Sequence, residues 1–190
     1  DVFFVISGFL ITKIILESVD NNSFSFKLFY LSRANKIIPP LIILCFTLLL
    51  FGYFFISPIE YRSLGKHIFS SLSFISNFIF LSESGYFDSS SLDKWLLHTW
   101  SLSLEWQFYL IYPLLLILIY KNLKHFKFIF SLILFIGLIF SIFFSLYDAN
   151  SSYYLLHARY WEFLIGGFIF LFPLKINNKY SSAISTICFF

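Results

Sequence analysis

The sequence predicts an all-α fold, a polytopic transmembrane helical bundle, on three observations. Of 190 residues, 59% are hydrophobic and 12% are charged, where soluble domains run near 45–50% apolar and about 25% charged. The apolar residues gather into runs close to the ~17–25 residues that a helix needs to cross hydrocarbon. The segments joining these runs are short, with no internal repeat and no flexible linker, so the chain reads as one domain. Its net charge of +3 is carried by Lys and Arg residues clustered between apolar runs. That is the pattern of topology signals, and it excludes a nucleic-acid-binding face. Cys45 and Cys188 lie in separate apolar runs without metal-ligand spacing, so neither a metal site nor a disulfide is expected.

Taken in order, the runs cover residues 2–16, 37–56, 64–81, 97–120, 126–146 and 160–174, and a seventh starts near Ser181. This predicts about six to seven apolar helices. The chain opens at Asp1 inside one apolar run and stops inside another, as expected of a portion of a longer membrane protein. Lys13 lies late in the first run and Lys27, Arg33 and Lys36 follow it, and "KNLKHFK" and the Lys175/Lys179 turn follow the fourth and sixth. An excess of cations marks these loops as cytoplasmic. "SESGYFDSSSLDKW", with Glu83, Asp88 and Asp93, and "YDANSSYYLLH", with Asp148, read as external. If every run crossed once, the acidic loop would fall on the cytoplasmic side. The conflict disappears if the run 64–81, rich in Ser and carrying Lys66, His67 and Asn77, is re-entrant or lies at the external face.

Polar residues inside these runs are the candidates for chemistry, because each is costly at membrane depth. Glu105 is foremost. Ser101, Glu105 and Tyr109 are spaced four apart and share a helix face with Tyr112 beside them, and Gln107 follows closely. His98 and Trp100 sit a turn above, toward the external interface. The same pattern also suits a structural hydrogen bond to a neighbouring helix, with Trp100 as an interface anchor. Arg159 and Glu162, at i and i+3, can pair on one face; that pair, with Gly166 and Gly167 beyond it, equally suits helix packing. Arg33 and Lys36, also i and i+3, precede Pro39–Pro40, a pair that can open a helix. They are either positive-inside anchors or a phosphate clamp. Ser7-Gly8-Phe9 interrupts the first run, where glycine permits close backbone approach. His67 and His125 flank lysines and are expected to be solvated, and His98 and His157 lie near the external face.

Four stretches in order, "DVFFVISGFLIT", "FYLSRANKIIPPL", "GYF…LLHTWSLSLEWQFYLIYPLLL" and "RYWEFLIGG", resemble the acyltransferase 3 family of integral-membrane O-acyltransferases, typified by bacterial O-antigen acetylases. The resemblance implies that residues 1–190 form a single membrane acyltransferase domain, incomplete at both ends, in a bacterial inner membrane. It implies transfer of an acetyl or other short acyl group from acyl-CoA, a co-substrate and no permanently bound cofactor, to a hydroxyl of an envelope or exported carbohydrate. The expected partners are the lipid bilayer, acyl-CoA and the carbohydrate acceptor. Glu105 would be catalytic. Arg33, Lys36, Ser7, Gly8 and Phe9 would bind acyl-CoA. His98, Trp100, Ser101, Gln107, Tyr109, Arg159 and Glu162 would bind the acceptor or shape the site. The family's catalytic histidine lies on a helix preceding the SGF helix, so no histidine of this chain inherits that role, and the fragment alone is expected to be inactive.

The chain departs from the family in two places. Lys36 stands where the family often has a second Arg, which keeps the charge and loses the bidentate fork. Trp106 stands where a second Glu often follows the first. A transporter or flippase is the alternative that a polar-lined bundle also allows.

Overall fold

The computed structural model describes residues 2–84 and 94–173. Those residues form helices and their connections, with no strand among them. The helices are α1 (Val2–Asp20), α2 (Phe26–Phe55), α3 (Pro58–Leu72), α4 (Ser76–Glu83), α5 (Thr99–Asn122), α6 (Phe126–Tyr147), α7 (Ala149–Tyr154) and α8 (Leu156–Leu171). Among the described residues four of them, α1, α2, α5 and α6, are long and apolar enough to cross a membrane.

Helix directions follow from which residues meet. Along α1 and α5, Ser7 meets Glu105, Thr12 meets Tyr112 and Asp20 meets Tyr120, so the two helices run parallel. Helix α8 runs the same way, with Arg159 over the Phe4 ring and Phe170 against Phe9. Helix α2 runs opposite to α5, because Tyr30 donates to the Leu110 carbonyl at one end while Phe51 meets Trp95 at the other. Helix α6 is antiparallel too, meeting Tyr120 through Phe126 and His157 through Phe144. The turns at 21–25 and 123–125, with Lys27, Lys121, Lys124 and Lys127 around them, therefore share one face. The α2–α3 junction, the start of α5 and α7 share the other.

The chain leaves α2 and enters α5 at the same face, so the segment between them does not cross. Helix α3 folds back along α2, with Leu64 and Tyr61 against Gly52. Helix α4 returns along α3, where His67 packs on Phe80 and bonds Glu83, 2.8 Å from Nε2 to Oε2. The pair is a re-entrant hairpin. Its outer end starts on a capping box, Ser57 with Glu60, and Pro58 in the first helical turn. At its tip Phe74 adopts φ 55, and the Ile75 N–H bonds back to the Ser70 carbonyl. This is the position where a helix end usually carries glycine; the Phe74 ring stacks on Trp106 at 4.6 Å, which offsets the cost.

Helix α5 holds this hairpin with a polar ladder spaced four apart. Thr99 shares hydrogen bonds with Ser71 and Ser76, Ser103 bonds Ser76 at 2.8 Å, and Gln107 donates to the Phe74 carbonyl and to Asn77 Oδ1. Asn77 in turn donates to the Tyr154 carbonyl of α7.

Several expectations are corrected. The run 64–81 is two short helices broken at 73–75, since buried serines bond carbonyls and α5 instead of lipid. Within the run 160–174 the described helix α8 ends at Leu171, and its 16 residues are fewer than a perpendicular crossing needs. The run 37–56 begins at Phe26, so Pro39 and Pro40 lie inside α2 and do not open it. His67 is buried at 3% exposure, because Glu83 partners its ring and Phe80 covers it. The run starting near Ser181, Lys175, Lys179 and Asp88 lie outside the described residues. Cysteines placed at Glu60 and Asn150 should label from one side of the membrane, and cysteines at Asn22 and Lys124 from the other. Opposite labelling of positions 60 and 150 would refute the re-entrant hairpin.

Candidate functional site

Glu105 lies one and a half turns into α5, on the face opposite the hairpin ladder, and is 4% exposed. The Ser7 hydroxyl of α1 donates to its Oε1 at 2.5 Å, and the Tyr109 hydroxyl donates to the same oxygen. Oε2 has no hydrogen-bond partner among the described residues. A turn further on, the hydroxyls of Thr12 and Tyr112 bond each other at 2.5 Å, and Thr12 also bonds the Gly8 carbonyl. Two polar ladders thus run down α5 about half a turn apart. One grips the hairpin, and the other binds α1 and presents a carboxylate.

That carboxylate lines a cavity of about 500 Å³ between α1, α2 and α5, within the usual size of small-molecule sites. Phe3, Ile37, Pro40, Leu41, Leu44 and Leu102 make its walls apolar. Arg33 and Lys36 reach it from α2, Tyr109 stands beside Glu105, and His98 and Thr99 line it at the hairpin face. Lys36 is exposed, whereas the Nε of Arg33 is buried without a hydrogen-bond partner and its guanidinium lies 5.9 Å over the Phe29 ring. Pro39 and Pro40 have no N–H to give the carbonyls of Asn35 and Lys36 one turn back, which removes two helical hydrogen bonds beside these cations. The cavity therefore joins two cations, a half-free carboxylate and a histidine along one apolar-walled path. Among the described residues no cluster of His, Cys, Asp and Glu could hold a metal ion.

The remaining candidates are placed elsewhere. Arg159 and Glu162 pair at 2.9 and 3.3 Å and are both buried. The Arg159 guanidinium sits 5.3–5.4 Å from the rings of Phe4, Trp100 and Tyr153. Trp100 is thus a buried wall of this cage and not an interface anchor, because Arg159 draws aromatic faces around its charge. Ser101 spends its hydroxyl on the His98 carbonyl, and Gln107 spends its amide on the hairpin tip, so neither lines the cavity. Gly8 faces α8, and Phe9 packs on Phe170. Of the Ser7-Gly8-Phe9 triplet only Ser7 reaches the carboxylate, so donor contact from this triplet has no geometric support at Gly8 or Phe9. Thr12 and Ser103 escaped the sequence reading, although Ser103 and Gln107 at i and i+4 signalled a second polar face.

The ordered motifs therefore converge on one helix crossing. A family model described as an acyltransferase domain matches residues 1–190. The chain belongs to the acyltransferase 3 family. An uncharacterized protein of Haemophilus influenzae is 41% identical to it over 192 residues, covering 94% of this chain and 76% of that protein. Peptidoglycan O-acetyltransferase OatA of Listeria monocytogenes is 31% identical, covering 92% of this chain and 29% of that protein. O-acetyltransferase OatA of Staphylococcus aureus is 30% identical, covering 91% and 30%. The chain spans under a third of the length of these two O-acetyltransferases. No solved structure matches it. As a member of the acyltransferase 3 family with four helices among the described residues long and apolar enough to cross a membrane, it is an integral membrane protein.

Proposed function

We propose that the chain is the membrane core of an O-acetyltransferase of a bacterial inner membrane. It takes an acetyl or other short acyl group from acyl-CoA on the lysine-rich, cytoplasmic face and passes it to a hydroxyl of an envelope carbohydrate at the hairpin face. The observation that supports this best is the single cavity holding Arg33, Lys36, Glu105 and His98 together. The family match supports the reaction class, and the peptidoglycan O-acetyltransferase names of relatives support a carbohydrate acceptor.

Each group then has a chemical task. Lys36, exposed at the mouth, meets the anionic end of the donor. The apolar walls exclude water, which protects a thioester from hydrolysis and strengthens charge interactions inside. Ser7 and Tyr109 fix Glu105 through Oε1, leaving Oε2 to receive the proton of the acceptor hydroxyl. The Arg159 cage and the Gln107 contacts fix α8 and the hairpin around this cavity, and so shape it without entering it.

Lys36→Ala in the full-length protein tests the donor side. A charge-assisted hydrogen bond is worth about 1.5–3 kcal/mol, so the KM for acyl-CoA should rise roughly tenfold or more at unchanged abundance. Unchanged KM would remove Lys36 from the donor site and leave it a topology signal.

A further inference from the structure

The two cations that α2 brings to the cavity, Arg33 and Lys36, stand in different settings. Lys36 is exposed, as suits contact with phosphates that stay near water. Arg33 holds Nε buried without a partner among the described residues, and it lines the same cavity as Glu105, whose Oε2 likewise has none among them. A buried unpaired donor costs about 1–3 kcal/mol, so its retention points to a group that fills it during function. Phosphates would need that group at the cavity mouth. A cation and a carboxylate lining one apolar-walled cavity instead match the two oxygens of an acyl transfer.

We propose that Arg33 is a catalytic residue whose guanidinium stabilises the oxyanion formed on the thioester carbonyl. This rests on the thioester-donor reading above and deepens it. The acceptor hydroxyl loses its proton to Glu105 Oε2 as its oxygen bonds the carbonyl carbon. The carbonyl π pair moves onto oxygen, facing Arg33. Collapse re-forms the C=O bond, breaks the C–S bond, and the CoA thiolate leaves and takes up the proton. The cation–π contact with Phe29 holds the guanidinium in place, so its charge is oriented before it is needed.

The test compares full-length wild type, Arg33→Gln and Arg33→Lys in native membranes. CoA itself, which lacks the reacting carbonyl, probes binding; labelled acetyl transfer to membrane glycan at saturating acetyl-CoA probes the chemistry. Arg33→Gln should bind CoA within about threefold of wild type and lose about 10²–10³ in saturating rate, as for removal of an oxyanion donor. Retained CoA affinity also shows that the variant is folded, and if Arg33→Gln is not produced, Arg33→Lys is read the same way, since its ammonium lacks the Nε donor. A loss of CoA affinity above tenfold with an unchanged saturating rate would make Arg33 a phosphate contact and overturn the inference alone. A wild type that neither binds CoA nor uses acetyl-CoA would overturn the donor reading, and the inference with it.

Discussion

Glu105→Gln is expected to leave the full-length protein folded and abundant while transfer falls at least about 100-fold, the lower end of what general acid–base groups contribute. The amide oxygen can still accept from Ser7 and Tyr109, so the α1–α5 contact survives. Burying a neutral amide also costs less than burying a carboxylate. What changes is the second position: Oε2, which accepts, becomes an NH2 group, which donates. A group that only tied α1 to α5 would tolerate this exchange. Glu105→Ala separates the two effects, because it strands the buried hydroxyls of Ser7 and Tyr109 and should lower abundance as well. Membrane yield measured beside labelled-acetyl transfer distinguishes the variants, and a fully active Glu105→Gln protein would contradict a proton-handling role.

The second large effect is structural. Helices α1 and α8 meet backbone to backbone. A Cβ on Gly8 would land on the Phe163 carbonyl oxygen, and one on Gly166 would land on the Val5 carbonyl oxygen. Small residues permit this approach, and no side-chain rotation can relieve a clash with a carbonyl. Gly8→Ala and Gly166→Ala should therefore each exceed the ~1–3 kcal/mol typical of overpacking. Parting the helices would displace Ser7 from Glu105 and Phe4 from Arg159. Both variants should be depleted from membranes or melt well below wild type, whereas Gly65→Ala, with open space at the Cβ, should behave normally. Wild-type melting of Gly8→Ala would contradict the packing described.

Much of this was legible in the residues. Apolar runs and loop charge gave the helical class and required one run not to cross, because charge placement follows from electrostatics that a sequence displays directly. Glu105 was legible through its cost in a lipid environment. The hairpin's start was legible too, in the Ser57–Glu60 capping box, but a window tuned to apolar length overlooked it. Less accessible was the division of labour on α5. Spacing puts Ser101, Glu105 and Tyr109 on one face, yet only a three-dimensional structure shows Ser101 bonding its own helix while Ser7 arrives from α1. The settings of Arg33 and Lys36 differ for the same reason: they are set by neighbouring helices, and local spacing is blind to them. His67 looked solvated beside Lys66 because its partner, Glu83, lies 16 positions away.

The central claim, that one cavity carries an acyl group from the lysine-rich face to the hairpin face, is tested most directly in sealed vesicles of known orientation holding the full-length protein. Labelled acetyl-CoA is supplied to one side only, and acetylated glycan is followed. The account predicts labelling when acetyl-CoA meets the side bearing Asn22 and Lys124, and none when it meets the side bearing Glu60 and Asn150. Labelling from the Glu60 side alone, or none from either side, would contradict it.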